Sequence, residues 1–268
     1  MTTSATPSEA TTSNGLYHNE TVQVVDQALV VLKDVCGSSE PRGVRELSRD
    51  LGYSKSTVQR ILSSLFVAGL VSVDEASRKY TVGPAALTLA WQYTTSSNLV
   101  SAAAGIAEAL AVKTGETVSV STLTDNKRVT VYEAESPHQL RLSTGVGRPH
   151  SLLAGATSRV LLSLLTPEER KLAIERAISE GVAEGRHQVE PAELEERVQV
   201  AAVERMAISH GEWIDGAVGL SVPIGRHGDD LAALSIYGPA IRISEETVSE
   251  FITALSEAAK TIQMAWRG

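Results

Sequence analysis

Between Leu51 and Val73 the chain carries no carboxylate, and inside that stretch one segment sorts cleanly into two faces. Val58, Ile61, Leu62 and Leu65 recur at the spacing of a single buried helix face. The other positions, Lys55, Ser56, Thr57, Gln59, Arg60 and Ser63, offer only short hydroxyls, an amide and two cations. An ordinary amphipathic surface helix mixes Glu or Asp into that face. A helix without them can enter a major groove, its N-terminus and hydroxyls meeting phosphate and its Gln and Arg meeting base edges. Ser54, Lys55, Ser56 and Thr57 are therefore expected to hold phosphate and the groove edge, and Gln59 and Arg60 to read bases.

The surrounding sequence supplies a scaffold for such a helix. Val24, Val25, Ala28, Leu29, Val31, Leu32 and Val35 form a helical apolar stripe closed by Gly37, and Val44, Leu47 and Leu51 mark a short second helix before the turn Gly52-Tyr53. Ser54 is a good N-cap, and the third helix is expected to stop near Ala68, before Gly69. Two short alternating runs, 70–73 and 78–82, flank a polar turn and read as a β-hairpin. Three helices and a hairpin predict a winged helix-turn-helix over residues 21–83. Arg78 and Lys79 fall where a wing meets backbone phosphate.

A net charge of −8 is, taken over the whole chain, a poor match to a polyanion. Residues 20–82, however, hold eight Lys/Arg and eight Asp/Glu, so the acidity lies elsewhere in the chain. At 268 residues there is room for two domains, and 43% hydrophobic with 21% charged residues is a globular composition. No apolar run approaches the roughly 18–20 residues that span a bilayer. The first Lys or Arg is Lys33, so the start lacks the basic region of a signal peptide, and residues 1–20, rich in Ser and Thr, are expected to be a disordered tail. A cytoplasmic protein with no membrane partner follows from these features. Cys36 is the only cysteine, which excludes an intrachain disulfide and a Cys-based zinc site; it is expected as a small buried hydrophobe near a helix end.

Gly83-Pro84 breaks the chain before a helix at 85–93, whose face of Ala86, Leu87, Leu89, Ala90 and Trp91 is expected to pack on the same helix of a second subunit. Residues 84–98 thus read as a linker and 99–268 as a second domain. There a helix at 99–114 ends at Gly115, and 117–123 alternates with 128–134 about a hairpin turn. Leu140-Arg141-Leu142 reads as a third short run. Helices are expected at 152–165, 167–180, 191–209 and 244–266, and a second hairpin from 217–224 and 231–237. Strand pairs flanked by helices predict an α+β domain with an antiparallel sheet.

Catalytic or metal chemistry leaves no signature here. Nucleophile-elbow, phosphate-loop and His-Glu-x-x-His patterns are missing, and His18, His138, His150, His187, His210 and His227 are scattered and read as surface or loop residues. Gly145-Val146-Gly147 has the composition of an anion nest. Glu168, Glu169, Glu193, Glu195 and Glu196 lie at helix starts, where the helix dipole accounts for them. No catalytic residue, metal or cofactor is expected. Small residues do gather at element ends: Ser151, Gly155-Ala156, the segment 216–221, and Ser235 with Tyr237. They suit either a small-ligand pocket or a close sheet–helix contact.

Over residues 22–266 the chain resembles the IclR family of bacterial transcription regulators. The resemblance rests on residues 22–29, on 47–62 (Leu47 through Leu62), and on Lys79-Tyr80-Thr81-Val82-Gly83-Pro84. In the second half it rests on Thr114-Gly115-Glu116-Thr117-Val118, Gly155-Ala156 and the segment 232–239. It implies a winged helix joined to a GAF-like effector-binding domain, dimers through the DNA-binding half, often tetramers, and small effectors that are commonly carboxylates or aromatic catabolites. It also implies an effector pocket of Gly155, Ala156, Ser209, His210, Gly219, Ser235 and Tyr237. Departures are present: Ser209-His210-Gly211 stands where many relatives are acidic, Gly219 where Cys is frequent, Tyr237 where Ser is usual, and Arg159 where Lys is common.

The reading is a ligand-responsive, sequence-specific DNA-binding regulator of a small-molecule pathway, with repression favoured over activation. A homodimer, or a tetramer, would bind a pseudo-palindromic double-stranded operator. The competing readings are an enzyme acting on a small molecule and a ligand-free GAF-like interaction module, each with an accessory DNA-binding head.

Overall fold

The positions expected to face inward on the carboxylate-free segment do so: Val58, Ile61, Leu62 and Leu65 are all buried on α3 (Lys55–Val67). The chain is described by a computed structural model covering residues 21–183, 189–228 and 230–267, and the tail expected at 1–20 lies outside the described residues. Two compact units divide between Tyr93 and Thr94.

In the first unit, α1 (Gln23–Gly37) and α2 (Val44–Leu51) precede α3. Gly52 takes a left-handed φ of 72°, ending α2 and turning the chain so that Ser54 can cap α3. Leu47 of α2 and Val31 and Val35 of α1 close over the inward face of α3. Burying each such aliphatic side chain stabilises the unit by about 1.5–3 kcal/mol. The stripe on α1 is broader than this core needs, for Val24, Val25 and Leu29 stay exposed. Cys36 is exposed too, against expectation: it follows the buried Val35, and the helical turn carries it to the solvent side. Burial of part of its surface nevertheless pushes the thiol pKa up.

The wing is a hairpin of β1 (Val71–Val73) and β2 (Tyr80–Val82), with Val71 opposite Val82. Arg42 extends it, exchanging two backbone hydrogen bonds of 2.8 Å with Tyr80. Asp74 fixes the turn by accepting from the N–H groups of Ala76 and Ser77, each at 3.2 Å. The helix α4 (Ala85–Ser96) follows and buries none of its residues; Leu87, Leu89 and Trp91 are exposed.

The second unit is built on a six-stranded antiparallel sheet of order β5-β4-β3-β8-β7-β6. The first hairpin joins β3 (Thr117–Thr124) and β4 (Lys127–Ala134) through Asp125 and Asn126, both at positive φ, as a two-residue hairpin turn of matching twist requires. The second joins β7 (Ala217–His227) and β8 (Asp230–Pro239). Helices α5 (Asn98–Thr114) and α9 (Glu245–Arg267) share a core with Val118, Val120, Val218, Leu220, Leu234 and Ile236, one face of the sheet. On the other face lie α6 (Ala156–Ser163), α7 (Pro167–Ala183) and α8 (Pro191–Glu204).

Three further expectations fail. The run Leu140-Arg141-Leu142 forms no strand; Arg141 pairs instead with Glu135, and the edge strand is β5 (Pro149–His150), opposite Arg128 and Val129. The helix expected from 152 starts at Ala156, because Gly155 at φ 92° holds the preceding residues outside helical geometry. The helix expected over 191–209 stops at Glu204. Arg205 caps it in the left-handed region at φ 53°, and the chain continues as the edge strand β6 (Ala207–His210).

Candidate functional site

The outward face of α3 begins with a knot of hydroxyls. Ser54 Oγ accepts from Thr57 N–H at 3.1 Å and lies 2.9 and 2.8 Å from the hydroxyls of Ser56 and Thr57. This satisfies one of the orphan N–H groups of the first turn and fixes the polar tip of the helix. Lys55, Ser56, Gln59 and Arg60 are exposed, while Thr57 is half-buried. Gln59 donates to the Tyr80 hydroxyl at 3.3 Å, so its amide links α3 to the wing. Ser63 bonds back to the Gln59 carbonyl at 2.9 Å, turning its hydroxyl onto its own helix.

The two wing cations differ. Arg78 is exposed in the turn at φ 57°, whereas Lys79 lies 2.9 Å from Glu46 of α2. Glu46 also accepts the Gly43 N–H at 2.9 Å; that bond first, and Lys79 second, hold its carboxyl below the usual range. Lys79 thus ties the wing to the start of α2 and reaches outward less than Arg78. Among the described residues Lys55, Arg60 and Arg78 form no ion pair, and neither does the exposed Arg45 on α2, which the sequence reading omitted. Its signal lay in the helix-turn-helix layout itself, since the helix before the recognition helix crosses the phosphate backbone.

In the second unit the strand period of two separates chemistry from packing. Thr117, Ser119, Ser121, Thr130, Ser221 and Ser235 are buried with zero exposure on the face opposite the α5–α9 core. Tyr237 shares that face. Its hydroxyl accepts from Ser119 at 3.0 Å and from Arg128 Nη1 at 3.2 Å, and it lies 3.0 Å from Thr157 of α6. Thr157 is 2.8 Å from Ser235, which donates to Ser221 at 2.9 Å, and Ser221 donates to the Leu234 carbonyl at 3.3 Å. Each hydroxyl in this chain has a partner, the condition under which a buried polar network stabilises a fold.

Beside the network lies a cavity of about 50 Å³. Gly155 and Ala156 line it from the start of α6, Ser209 and Gly219 from β6 and β7, and Tyr237 and Arg128 from β8 and β4. The connection after β6 contributes Glu212, Trp213 and Ile214. Glu212 is held at 2.7 Å by Arg159 and at 2.9 Å by the Gly155 N–H, so a protein carboxylate occupies the N-terminus of α6. Arg159 donates in addition to the Ile208 carbonyl, which anchors β6.

Residues 24–75 match the family model described as the IclR helix-turn-helix domain, and residues 91–264 match that of the bacterial transcriptional regulator IclR C-terminal. The chain belongs to the IclR family. It is therefore a ligand-responsive DNA-binding transcriptional regulator, of a family of regulators and not of enzymes. It is 25% identical to the transcriptional repressor IclR of Escherichia coli K12, covering 92% of this chain and 91% of that one. It is 28% identical to the HTH-type transcriptional regulator KdgR of the same organism, covering 84% and 86%. In fold it is similar to an IclR-family transcriptional regulator from Brucella abortus (TM-score 0.79, 18% identity, 92% and 93% covered). An IclR homologue from Microbacterium hydrocarbonoxydans complexed with 4-hydroxybenzoate gives a TM-score of 0.65 at 18% identity, with 90% and 98% covered.

Of the residues expected in the effector pocket of this IclR-family chain, Gly155, Ala156, Ser209, Gly219 and Tyr237 come together around the cavity. Ser235 and His210 do not line it. Ser235 is fully buried behind Tyr237 in the hydroxyl chain, and His210 is exposed on β6 opposite Val218. Arg128, Thr157, Glu212 and Trp213 were not foreseen. The glycine loop is no open anion nest: the N–H groups of Gly145, Gly147 and Arg148 bond to Ser143, Thr130 and Gly145. His150 is buried rather than on the surface, bonded to the Thr144 carbonyl at 2.8 Å and edge-on to Trp213. His18 and His187 lie outside the described residues. Among the described residues no helix is long and apolar enough to cross a membrane, and no group of three His, Cys, Asp or Glu could hold a metal ion.

Proposed function

We propose that this regulator places α3 in the major groove of a pseudo-palindromic operator as a homodimer, and that a small organic effector in the cavity beside Tyr237 alters its hold on DNA. The observation that carries the DNA half is the outward face of α3, where exposed Lys55, Ser56, Gln59 and Arg60 meet no carboxylate and Ser54 secures the helix tip. Arg60 and Gln59 address base edges, Gln59 from a position braced by Tyr80. Ser54, Lys55, Ser56 and Thr57 contact phosphate with Arg45 and Arg78, and Lys79 joins them only by leaving Glu46.

The effector occupies the space between Gly155, Ala156, Ser209, Gly219 and Tyr237. Ser235 supports it from behind as a positioning residue, and His210 has no contact with it. The Microbacterium homologue bound to 4-hydroxybenzoate supports an organic acid as the effector class. The E. coli relative named as a repressor supports repression, exerted in the cytoplasm. Two subunits meet through α4, whose apolar side chains are exposed, and pairs of dimers can form tetramers. An effector regulates only if it binds the DNA-competent and incompetent states unequally.

Selection of bound DNA from a random pool by the full chain tests the reading. The expected result is an enriched pair of inverted half-sites one or two helical turns apart. Enrichment of no motif, or of a single unpaired half-site, overturns it.

A further inference from the structure

We infer that the effector is a compact monoanion, a short monocarboxylate, and that Arg128 selects it; this rests on the cavity being the effector site. Arg128, second residue of β4, lines the cavity and is 4% exposed. Its Nη1 donates to the Tyr237 hydroxyl at 3.2 Å, its Nε is buried with no hydrogen-bond partner, and no carboxylate pairs with it among the described residues. A guanidinium stays protonated at any accessible pH and is costly to bury without a counter-charge. The fold nevertheless keeps it at the wall of a cavity. That arrangement is understandable where a ligand brings the missing negative charge.

The neighbouring charges set the number. Arg159, 5% exposed, is the second buried cation, and Glu212 neutralises it at 2.7 Å. The same carboxylate takes the Gly155 N–H, so the helix start is already supplied with an anion. One positive charge, that of Arg128, is left at the cavity. A monoanion balances it, a dianion exceeds it and a neutral ligand leaves it bare. The phenol of Tyr237 cannot substitute, because its oxygen accepts from Ser119 and Arg128 and its proton is directed to Thr157.

Size narrows the class further. About 50 Å³ of space is well below the roughly 150 Å³ of a cavity that holds a benzene ring. Leu142, Ala154 and Ile214 supply apolar wall, beside the hydroxyl-bearing Ser143 and Thr144. A carboxylate with a tail of one to a few carbons fits both the charge and the walls, whereas an aromatic acid needs the cavity to open.

The test uses the full chain and its melting temperature and calorimetric affinity for sodium acetate, propionate, lactate and butyrate, their amides, succinate and 4-hydroxybenzoate. The expected result is binding of at least one short monocarboxylate, with its amide and succinate about tenfold or more weaker. Arg128→Met is expected to lose that binding about tenfold or more, while melting no lower than the parent protein in the absence of acid, because an unpaired buried charge has gone. An arginine with a merely structural role would lower the melting temperature when replaced. Arg128→Lys, which keeps the charge, is expected to retain part of the affinity. Ser209→Leu fills the cavity and is expected to block every occupant. Equal acid binding by the parent and Arg128→Met, blocked by Ser209→Leu, overturns the role of Arg128 and leaves the pocket standing. Tightest binding of an amide or of succinate overturns the monoanion, and tightest binding of 4-hydroxybenzoate, itself a monoanion, overturns the short tail. Binding of any acid that is indifferent to Ser209→Leu, or no binding by any acid, overturns the pocket itself.

Discussion

Gly219 and Tyr237 face each other across β7 and β8, and a side chain on the glycine would stand between the tyrosine ring and the Ser209 hydroxyl. A Cβ on Gly219 would lie 3.5 Å from Tyr237 Cδ1 and 2.8 Å from the Ser209 hydroxyl. The two departures that the resemblance implies, glycine where cysteine is frequent and tyrosine where serine is usual, thus fall on one cross-strand pair, and whether they compensate is open to test. Gly219→Cys alone is expected to overpack this point and Tyr237→Ser alone to leave a void and unpaired polar groups, each costing about 1–3 kcal/mol. The double variant is expected to cost less than the sum by about 1 kcal/mol or more. Denaturant unfolding of the three variants decides it: strict additivity would show that the residues do not compensate.

Tyr237→Phe keeps the ring and removes only the oxygen. Ser119, Thr157 and Arg128 Nη1, all buried, each lose a partner. The expected loss is about 1–3 kcal/mol, read by denaturant unfolding. Removing the hydroxyl of Tyr53, half-buried beside the α2–α3 turn, makes a control. Indistinguishable midpoints for the two variants would refute the network.

Much of this architecture is legible in the chain, and the exceptions have physical causes. Helical and strand periods, Gly115 at a helix end and the Asp125-Asn126 turn place most elements within a few residues. The helix that ends at Glu204 was overrun because Arg205 takes the left-handed cap usually given to glycine, leaving β6 hidden in an apparent helix. The pocket was half legible. Gly155, Ala156, Ser209, Gly219 and Tyr237 stood out through the family resemblance. Arg128 and Glu212 did not, because a lone charge beside a turn looks like ordinary surface until the fold buries it. Ser119 and Ser121 alternate with valines as a solvent-facing strand edge would, yet α6 covers them.

Acid should loosen the winged unit in a defined direction. Glu46 is held below its ordinary pKa chiefly by the Gly43 N–H, Asp50 by Arg49 and then Arg42, and Asp74 chiefly by the Ser77 hydroxyl. A depressed folded pKa means that the unfolded chain takes up protons first as pH falls. The stability these groups contribute is complete above their unfolded values, near 4.5 for Glu46 and 3.8 for the aspartates, and is lost as pH drops through the lower folded values. Glu46→Gln is therefore expected to melt below the parent protein near neutral pH and to approach it on acidification below 4.5. A gap that stays constant across the titration would contradict this.

On DNA, Arg60 and Lys55 should separate by kind of effect. Arg60→Ala is expected to reduce discrimination between the selected operator and a one-base variant by about 1–3 kcal/mol if its contact is bidentate. Lys55→Ala is expected to weaken binding to all sequences alike and to lower the slope of log affinity against log salt by about 0.9. Arg45→Ala should behave as Lys55→Ala does. Titrations at several salt concentrations provide the readout; unchanged specific and random affinities for Arg60→Ala would remove α3 from the groove.

The last expectation concerns the proposed pairing of two such helices in a dimer. Leu87 is 75% exposed and Leu89 62% exposed on α4, and apolar side chains in such number on one helix are best explained by a second subunit. Leu87→Asp places a charge in that contact, where burial without a partner is costly. Sedimentation velocity is expected to show the parent protein as a dimer or larger and Leu87→Asp shifted toward monomer at the same concentration. Since a monomer engages only one half-site, affinity for the inverted repeat should fall toward that for a single half-site, while the single half-site is bound as before. A variant that sediments and binds the repeat as the parent does would place the subunit contact elsewhere, and a variant that loses the single half-site as well would show that Leu87 serves the winged unit itself.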